Sequence, residues 1–276
     1  MKKTVTIAVI ISITMTMGVV AQGVTLEYKF EKGKTYRYRD ILDAKSAQEM
    51  MGKEITSEIH GRNIVRVIGN GMNPDGSMTL IAVTDSAIVK VKAGGVDTTQ
   101  IPWNIIGKKF RMDVAKTGKV SNFTAADTAE DDAGQMVQNQ LGHYPILSAN
   151  PVSDGSTWNA ESVDTVMQKQ FGGTIITSTQ EVYTLTGKET KNGHGCYKIT
   201  SAGNFTITGK GVAMGMDLLI DGSGKSKANI FFDPVRGIIV ASEADVDIHM
   251  TVATTGQSPM VIPTSESMKV IRTLLQ

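Results

Sequence analysis

The sequence predicts a mainly β protein, β-rich α+β in class, with two similar curved antiparallel sheet units and one helix between them. Three observations predict it. Apolar and polar residues alternate over most of the chain, Asn-Gly and Asp-Gly turns separate the apolar runs, and several short motifs recur in the same order.

The first 21 residues read as an export signal. Lys2 and Lys3 precede an apolar stretch from Val5 to Val20, and Val19-Val20-Ala21 places small residues before a cut after Ala21. The stretch is short against the roughly 20 residues a membrane-crossing helix needs. Mature protein is expected to begin at Gln22, to have no transmembrane span and to be periplasmic or secreted. Cys196 is the only cysteine, so a lipid-anchored form and an internal disulfide are both excluded.

Strands follow. Leu26, Tyr28 and Phe30 alternate with Glu27 and Lys29, and Glu31-Lys32-Gly33-Lys34 is expected to join the first two strands as a hairpin. Ile81, Val83, Val89 and Val91 share one face of a later strand. Asn73-Pro74-Asp75-Gly76 and Lys191-Asn192-Gly193 are further hairpin turns, since Asn-Gly and Asp-Gly tolerate the required positive φ.

Asp127 to Leu141 breaks the pattern. Ala129, Ala133, Met136, Val137 and Leu141 fall on one helical face, Thr124 or Asp127 caps its start, and Gly142 ends it. Tyr144-Pro145-Ile146-Leu147 and Asn150-Pro151-Val152 form a stiff connector. The expected organisation is a signal at 1–21, a first β unit at 22–126, helix and linker at 127–154, and a second β unit at 155–276.

The second unit repeats motifs of the first. Gly33-Lys34-Thr35-Tyr36 matches Gly155-Ser156-Thr157-Trp158. Met51-Gly52-Lys53-Glu54-Ile55-Thr56 matches Phe171-Gly172-Gly173-Thr174-Ile175-Ile176. Gly69 matches Gly187, and Phe110-Arg111-Met112-Asp113 with Gly118 matches Phe231-Phe232-Asp233 with Gly237. On these motifs the chain resembles an uncharacterised, internally duplicated family of exported bacterial β proteins. It is also loosely similar to the half-barrels of periplasmic lipoprotein carriers. That resemblance implies a curved antiparallel sheet around an apolar ligand, and it carries over no catalytic residue.

Reactive motifs are weak. Gly222-Ser223-Gly224-Lys225-Ser226 lacks the leading glycine of a phosphate loop, because Leu219 stands there, and reads as a hairpin turn. Asn70 to Gly76 lacks the chelating ends of a calcium loop. His60, His143, His194 and His249 form no metal-ligand pair, and Cys196 beside His194 reads as a small core residue. Glu243, Asp245, Asp247 and His249 share one strand face. That is the wet side of a half-buried strand, and the first place to look for a metal. No metal and no cofactor is expected.

Removing Lys2 and Lys3 from the 28 basic residues leaves 26 against 27 acidic ones, so nucleic acid is not an expected partner. The 15 methionines suit a core or an adaptable apolar site. Trp103, in a run interrupted by Pro102, is a candidate lid or rim. Trp103, Met136, Val137, Leu141 and Tyr144 are the candidate ligand-binding residues, the helix being expected on the concave face near Trp103 and Tyr144. The expected function is a non-enzymatic envelope protein binding a lipid or other apolar or amphipathic ligand. The alternative is a structural module with a filled core that binds an envelope protein.

Overall fold

The computed structural model describes residues 23–50, 52–125, 144–168, 172–213, 215–255 and 259–275. The export signal and the Asp127–Leu141 helix of the sequence reading lie outside them. The described residues form strands β1 (Thr35–Met50), β2 (Lys53–Met72), β3 (Met78–Ala93), β4 (Val96–Gln100), β5 (Lys109–Val114) and β6 (Val120–Ala125). Then follow β7 (Thr157–Gln168), β8 (Gly173–Lys191), β9 (His194–Ala213), β10 (Met216–Asp233), β11 (Ile238–Thr254) and β12 (Met260–Leu275).

All twelve belong to one antiparallel sheet in the order β6-β5-β3-β2-β1-β12-β11-β10-β9-β8-β7, with β4 also on β3. The sheet does not close. This corrects the expected fold class: the described chain is all β, in one sheet rather than two units, with no helix among the described residues. The physical reason is the pairing of β1 with β12, from Arg37 opposite Leu275 to Gln48 opposite Thr264. It leaves neither strand as an open edge. Two local readings also change. Gly222-Ser223-Gly224 is not a turn but the middle of β10, and Thr124 belongs to β6 opposite Arg111. The turns at Asn73–Gly76 and Lys191–Gly193 stand as read, with Asn192 and Gly193 at φ 50° and 79°.

The strands are long, and the described residues pack only one end of the sheet. The core gathers Tyr36, Tyr38, Val65, Val67, Leu80, Phe110, Met112, Leu185, Ile199, Ile230 and Phe232 from that end. Leu26, Tyr28 and Phe30 cover them. This segment makes no ladder beyond a bridge from Val24 to Val152, so its two-residue period reflects burial of one side rather than strand pairing. Glu31–Lys34 turns it into β1 instead of closing a hairpin. Tyr144, Leu147 and Val152 complete the cover. Tyr28 donates its hydroxyl to the Pro145 carbonyl at 2.9 Å, and Trp158 donates its indole N–H to the Ile146 carbonyl at 2.8 Å. The breaks in strand register, such as those at Gly69/Gly71, Leu185/Gly187 and Phe231/Phe232, lie at this packed end, where bulges bend and twist the strands around the core.

The segments entering β1 and β7 are held alike. Gly33 donates to the Gly69 carbonyl at 2.7 Å and Gly69 to Lys34 at 3.0 Å; Gly155 donates to Leu185 at 2.7 Å and Leu185 to Ser156 at 3.0 Å. The turns after β5 and β10 grip the same covering segment from two sides. Tyr28 N–H donates to Lys116 O at 2.9 Å and Lys29 N–H to Gly237 O at 2.8 Å. Each turn is anchored by a buried aspartate. Asp113 accepts from Thr79 at 2.6 Å and Asn122 at 2.9 Å. Asp233 accepts from the Val235 and Arg236 N–H groups at 2.9 and 3.0 Å and faces His194 Nδ1 at 3.1 Å.

Gly118 and Gly237 must stay glycine. Both have positive φ, at 98° and 67°. A Cβ at 118 would lie 2.6 Å from Pro145 O, and one at 237 would lie 2.6 Å from Lys29 N. Strain and backbone overlap together should cost Gly118→Ala or Gly237→Ala about 2–4 kcal/mol. Gly33→Ala, also at positive φ but with open space around it, should cost about 1 kcal/mol. Urea unfolding measures the order; equal losses at the three sites would contradict it.

Burial pushes the Asp113 and Asp233 carboxyls up, but the hydrogen bonds they accept prevail and hold both below the ordinary 3.8. A depressed carboxyl contributes stability that is present above its unfolded value and lost as pH falls through the folded one. Stability should therefore drop below about pH 4. In Asp113→Asn with Asp233→Asn the loss between pH 5 and 2 should be smaller than in the parent, as followed by urea midpoints against pH.

Candidate functional site

Beyond the core the same face of the sheet continues for the rest of each strand. Register defines it in rows. One row runs Val91, Ile59, Ala44, Met268, Val246, Ser226, Gly203 from β3 to β9. The next holds Ser57, Ser46, Glu266, Ile248, Gly224 and Phe205, and the next Gln48, Thr264, Met250, Gly222 and Ile207. Ile262, Val252, Ile220, Gly209 and Ile175 follow toward the strand tips. Along β10 this is the regular half-buried, exposed alternation from Met216 to Asn229. The opposite face carries Lys45, Glu58, Lys92, Lys225, Lys227, Asp245 and Asp247. From β3 to β11 the first face is mainly apolar and the opposite one charged, while toward the other edge the opposite face also exposes Ile176, Val182, Val212 and Leu219.

Glycines shape the apolar face. The Phe205 ring occupies the space a Cβ on Gly224 would need, 2.2 Å from it. The ring covers a strand position that has no side chain of its own.

Core and outer rows meet at an ion pair. Arg272 of β12 donates Nε to Asp40 Oδ1 at 2.8 Å and Nη2 to Asp40 Oδ2 at 3.0 Å, from directly opposite positions on the two strands. Its guanidinium lies 5.4 Å from the Tyr38 ring centre. Burial works against the arginine's charge, but Asp40 more than offsets it, so its pKa lies above that of free arginine. Tyr144, beside it, is pushed up to about 12 by burial.

The residues singled out in the sequence do not form one site. Tyr144 is buried in the core against the rings of Tyr28 and Phe30, whereas Trp103 is 72 % exposed on the loop between β4 and β5. Met136, Val137 and Leu141 lie outside the described residues. Glu243, Asp245, Asp247 and His249 stand on the charged face of β11. Glu243 pairs with Lys269, which holds its carboxyl below the usual range, and Asp245 lies opposite Lys227 and Lys269. This is a cross-strand charge ladder. Asp247 and His249 also line an open depression on that face with Lys45, Glu58 and Lys92. Among the described residues no three His, Cys, Asp or Glu side chains are grouped to hold a metal. Cys196 is buried beside Phe231, Val240 and Ala241, and burial pushes its thiol up to about 11. A thiol so held is not a ready nucleophile.

No family model matches the chain, and no curated protein does. Among solved structures the sheet is similar to lipovitellin. The match, to a structure concerned with lipid–protein interactions in lipovitellin, has a TM-score of 0.56 at 12% identity and covers 90% of this chain. The chain spans about a quarter of that protein's length, 26% of it. The likeness is one of fold. Other matches are far looser: OccK5 (OpdH) of Pseudomonas aeruginosa at TM-score 0.22, 6% identity and 90% of this chain, with 100% of its own length covered. A DUF1329 family protein from Desulfovibrio piger matches at TM-score 0.14 and 10% identity, over 84% of this chain and 83% of its own. No helix among the described residues is long and apolar enough to cross a membrane.

The apolar rows were the part of the site that sequence reasoning did not assemble. The signal was the two-residue period of β10, with shorter stretches of it in β11 and β12. Ala244, Val246, Ile248 and Met250 were visible, but Met216, Leu218, Ile220 and Ile262 join them only through register.

The Asp40–Arg272 pair gives a direct test of how the two strand sets are joined. Removing one partner strands a buried charge, so Asp40→Ala should cost about 3–5 kcal/mol. Asp40→Leu combined with Arg272→Met should return to within about 1.5 kcal/mol of the parent. Urea unfolding of the three variants checks this; a single variant as stable as the parent would rule the pair out as an anchor.

Proposed function

We propose that this is an exported, non-enzymatic envelope protein that holds an apolar or amphipathic ligand on the apolar face of its open sheet. One observation carries the reading. Val246, Met250, Val252, Leu218, Ile220, Ile262 and Met268 beyond the core are only half-buried, and all twelve described strands lie in one sheet, so no second sheet of described residues covers them. Contiguous apolar surface of this kind marks an interaction site in a soluble protein. The lipovitellin-like sheet supports the choice of an apolar ligand, since lipid–protein interactions are described for that protein. Successive rows are ~6.7 Å apart, so the lane from Val246 to Leu218 is roughly 27 Å long. An extended hydrocarbon chain fits along it.

The mature protein should bind an uncharged fluorescent probe such as N-phenylnaphthylamine. Val246→Lys, or Met250→Lys if the first variant fails to fold, should weaken it by about tenfold, because a cation then occupies the lane. Ala202→Lys, on the opposite face of β9, should leave it unchanged. Native mass spectrometry of protein purified from its own envelope should show a co-purified lipid. A folded parent that binds neither probe nor lipid would leave the protein-binding module as the better reading.

A further inference from the structure

Midway along the apolar face three neighbouring strands bring polar side chains together. Ser57, Ser46 and Glu266 stand side by side on β2, β1 and β12, and Ile248, Gly224 and Phe205 continue the same row. The two serine hydroxyls are hydrogen-bonded at 2.7 Å. Gln48 and Thr264 lie in the next row.

Glu266 is half-buried, and among the described residues it has no hydrogen-bond or ion-pair partner. Burial alone raises its pKa. Other carboxylates of this face differ from it. Asp40 is paired with Arg272, Glu181 accepts the Tyr183 hydroxyl, and Asp164 is exposed on the edge strand β7. On the charged face, glutamates do find lysines: Glu58 pairs with Lys45 and Glu243 with Lys269. Lys45 and Lys269 therefore stand on the strands of Ser46 and Glu266, yet both lie on the opposite face. A partly desolvated carboxylate with no partner is unfavourable unless a ligand supplies one.

Charge on the face points the same way. Among the described residues, the cations in the rows beyond the core are Arg272, already neutralised, and Lys53, exposed near the tip of β2. Around Glu266 the neighbouring positions are Ser46, Thr264, Met268, Ile248, Met250 and Gln48, and none of them ionises. An anionic head group would meet only Glu266.

We infer that Glu266, flanked by Ser46 and Ser57, seats a cationic, hydrogen-bond-donating head group of the primary ammonium type, with the ligand's chain running from it over Met250 and Val252. The inference rests on the reading that the face holds an amphipathic ligand. An ammonium has three donors, and the carboxylate and the two hydroxyl oxygens supply three acceptors. A carboxylate or phosphate head would be repelled.

The test uses displacement of N-phenylnaphthylamine from the mature protein by dodecylamine, dodecanol and dodecanoate at neutral pH and fixed salt. In the parent, dodecylamine should displace the probe at about tenfold lower concentration than dodecanol, the size of a charge-assisted hydrogen bond, with dodecanoate weakest. Glu266→Gln should collapse the ratio of amine to alcohol toward one, and Glu266→Lys should bring dodecanoate ahead of the amine. Glu58→Gln, on the charged face, should keep the parent's ratio. Equal displacement by amine and alcohol in the parent, or an unchanged ratio in Glu266→Gln, would overturn the head-group assignment while leaving the apolar seat standing. Failure of the probe and all three amphiphiles to bind would instead remove the seat itself. Should Glu266→Lys not fold, the Glu266→Gln ratio decides.

Discussion

The pairing of β1 with β12 is the constraint on which the rest of this structure depends. It joins the strand that follows the covering segment to the last strand of the chain, and its Asp40–Arg272 pair links residues 232 apart. Every other neighbouring pair in the sheet is close in sequence. Loop-closure entropy grows only slowly with length, so the join is thermodynamically affordable, but such non-local pairing folds slowly. Its consequence is geometric. Without it there would be two meanders with β1 and β12 as bare edges. With it, one face continues across the join from β3 to β8.

The same join explains why one end is packed and the other is not. A sheet must bury its apolar face against something. Two described stretches outside the strands do most of that work, Leu26–Phe30 and Tyr144–Val152, and both lie over the end where β1 and β12 meet the core. The aromatic residues concentrate there: Tyr28 makes edge contacts with Tyr144 and Phe232, and Phe30 with Tyr36. The glycine turns at 118 and 237 clamp the first stretch, and their aspartates fix the turns. Beyond Arg272 the rows traced combine aliphatic and methionine side chains with glycines and the polar group around Glu266, and Phe205 is the one aromatic among them; the methionines suit a ligand of indefinite shape.

Much of this was legible in the sequence, for reasons that differ by element. Two-residue alternation reports which side of an extended segment is buried, so the β character and the charged face of β11 could be read directly. It does not report whether a ladder exists, so Leu26, Tyr28 and Phe30 looked like a strand. Glycine pairs usually mean turns, but Gly222 and Gly224 sit inside β10, the latter vacating space for Phe205. The single sheet was not legible, because nothing local in Arg37–Gln48 or Thr264–Leu275 names the other as partner. Nor was the apolar lane, which exists only once register sets β10, β11 and β12 beside each other. Trp103 drew notice by its size and lies in water; Glu266 drew none, since a glutamate in an alternating strand looks like any solvated one until its face is known.

A ligand seated on one face of a sheet has a bounded affinity. Full burial of a methylene is worth about 0.8 kcal/mol. A twelve-carbon chain with only one side against protein gains about half of that per carbon, roughly 5 kcal/mol in all, which corresponds to a dissociation constant near the upper micromolar range. A head-group contact of the size assigned to Glu266 improves this about tenfold and no more. Such a seat holds cargo for short times and releases it without unfolding anything. On the proposed reading that suits a protein that passes an amphiphile on, whereas long-term storage would need a second apolar wall, which the described residues do not provide.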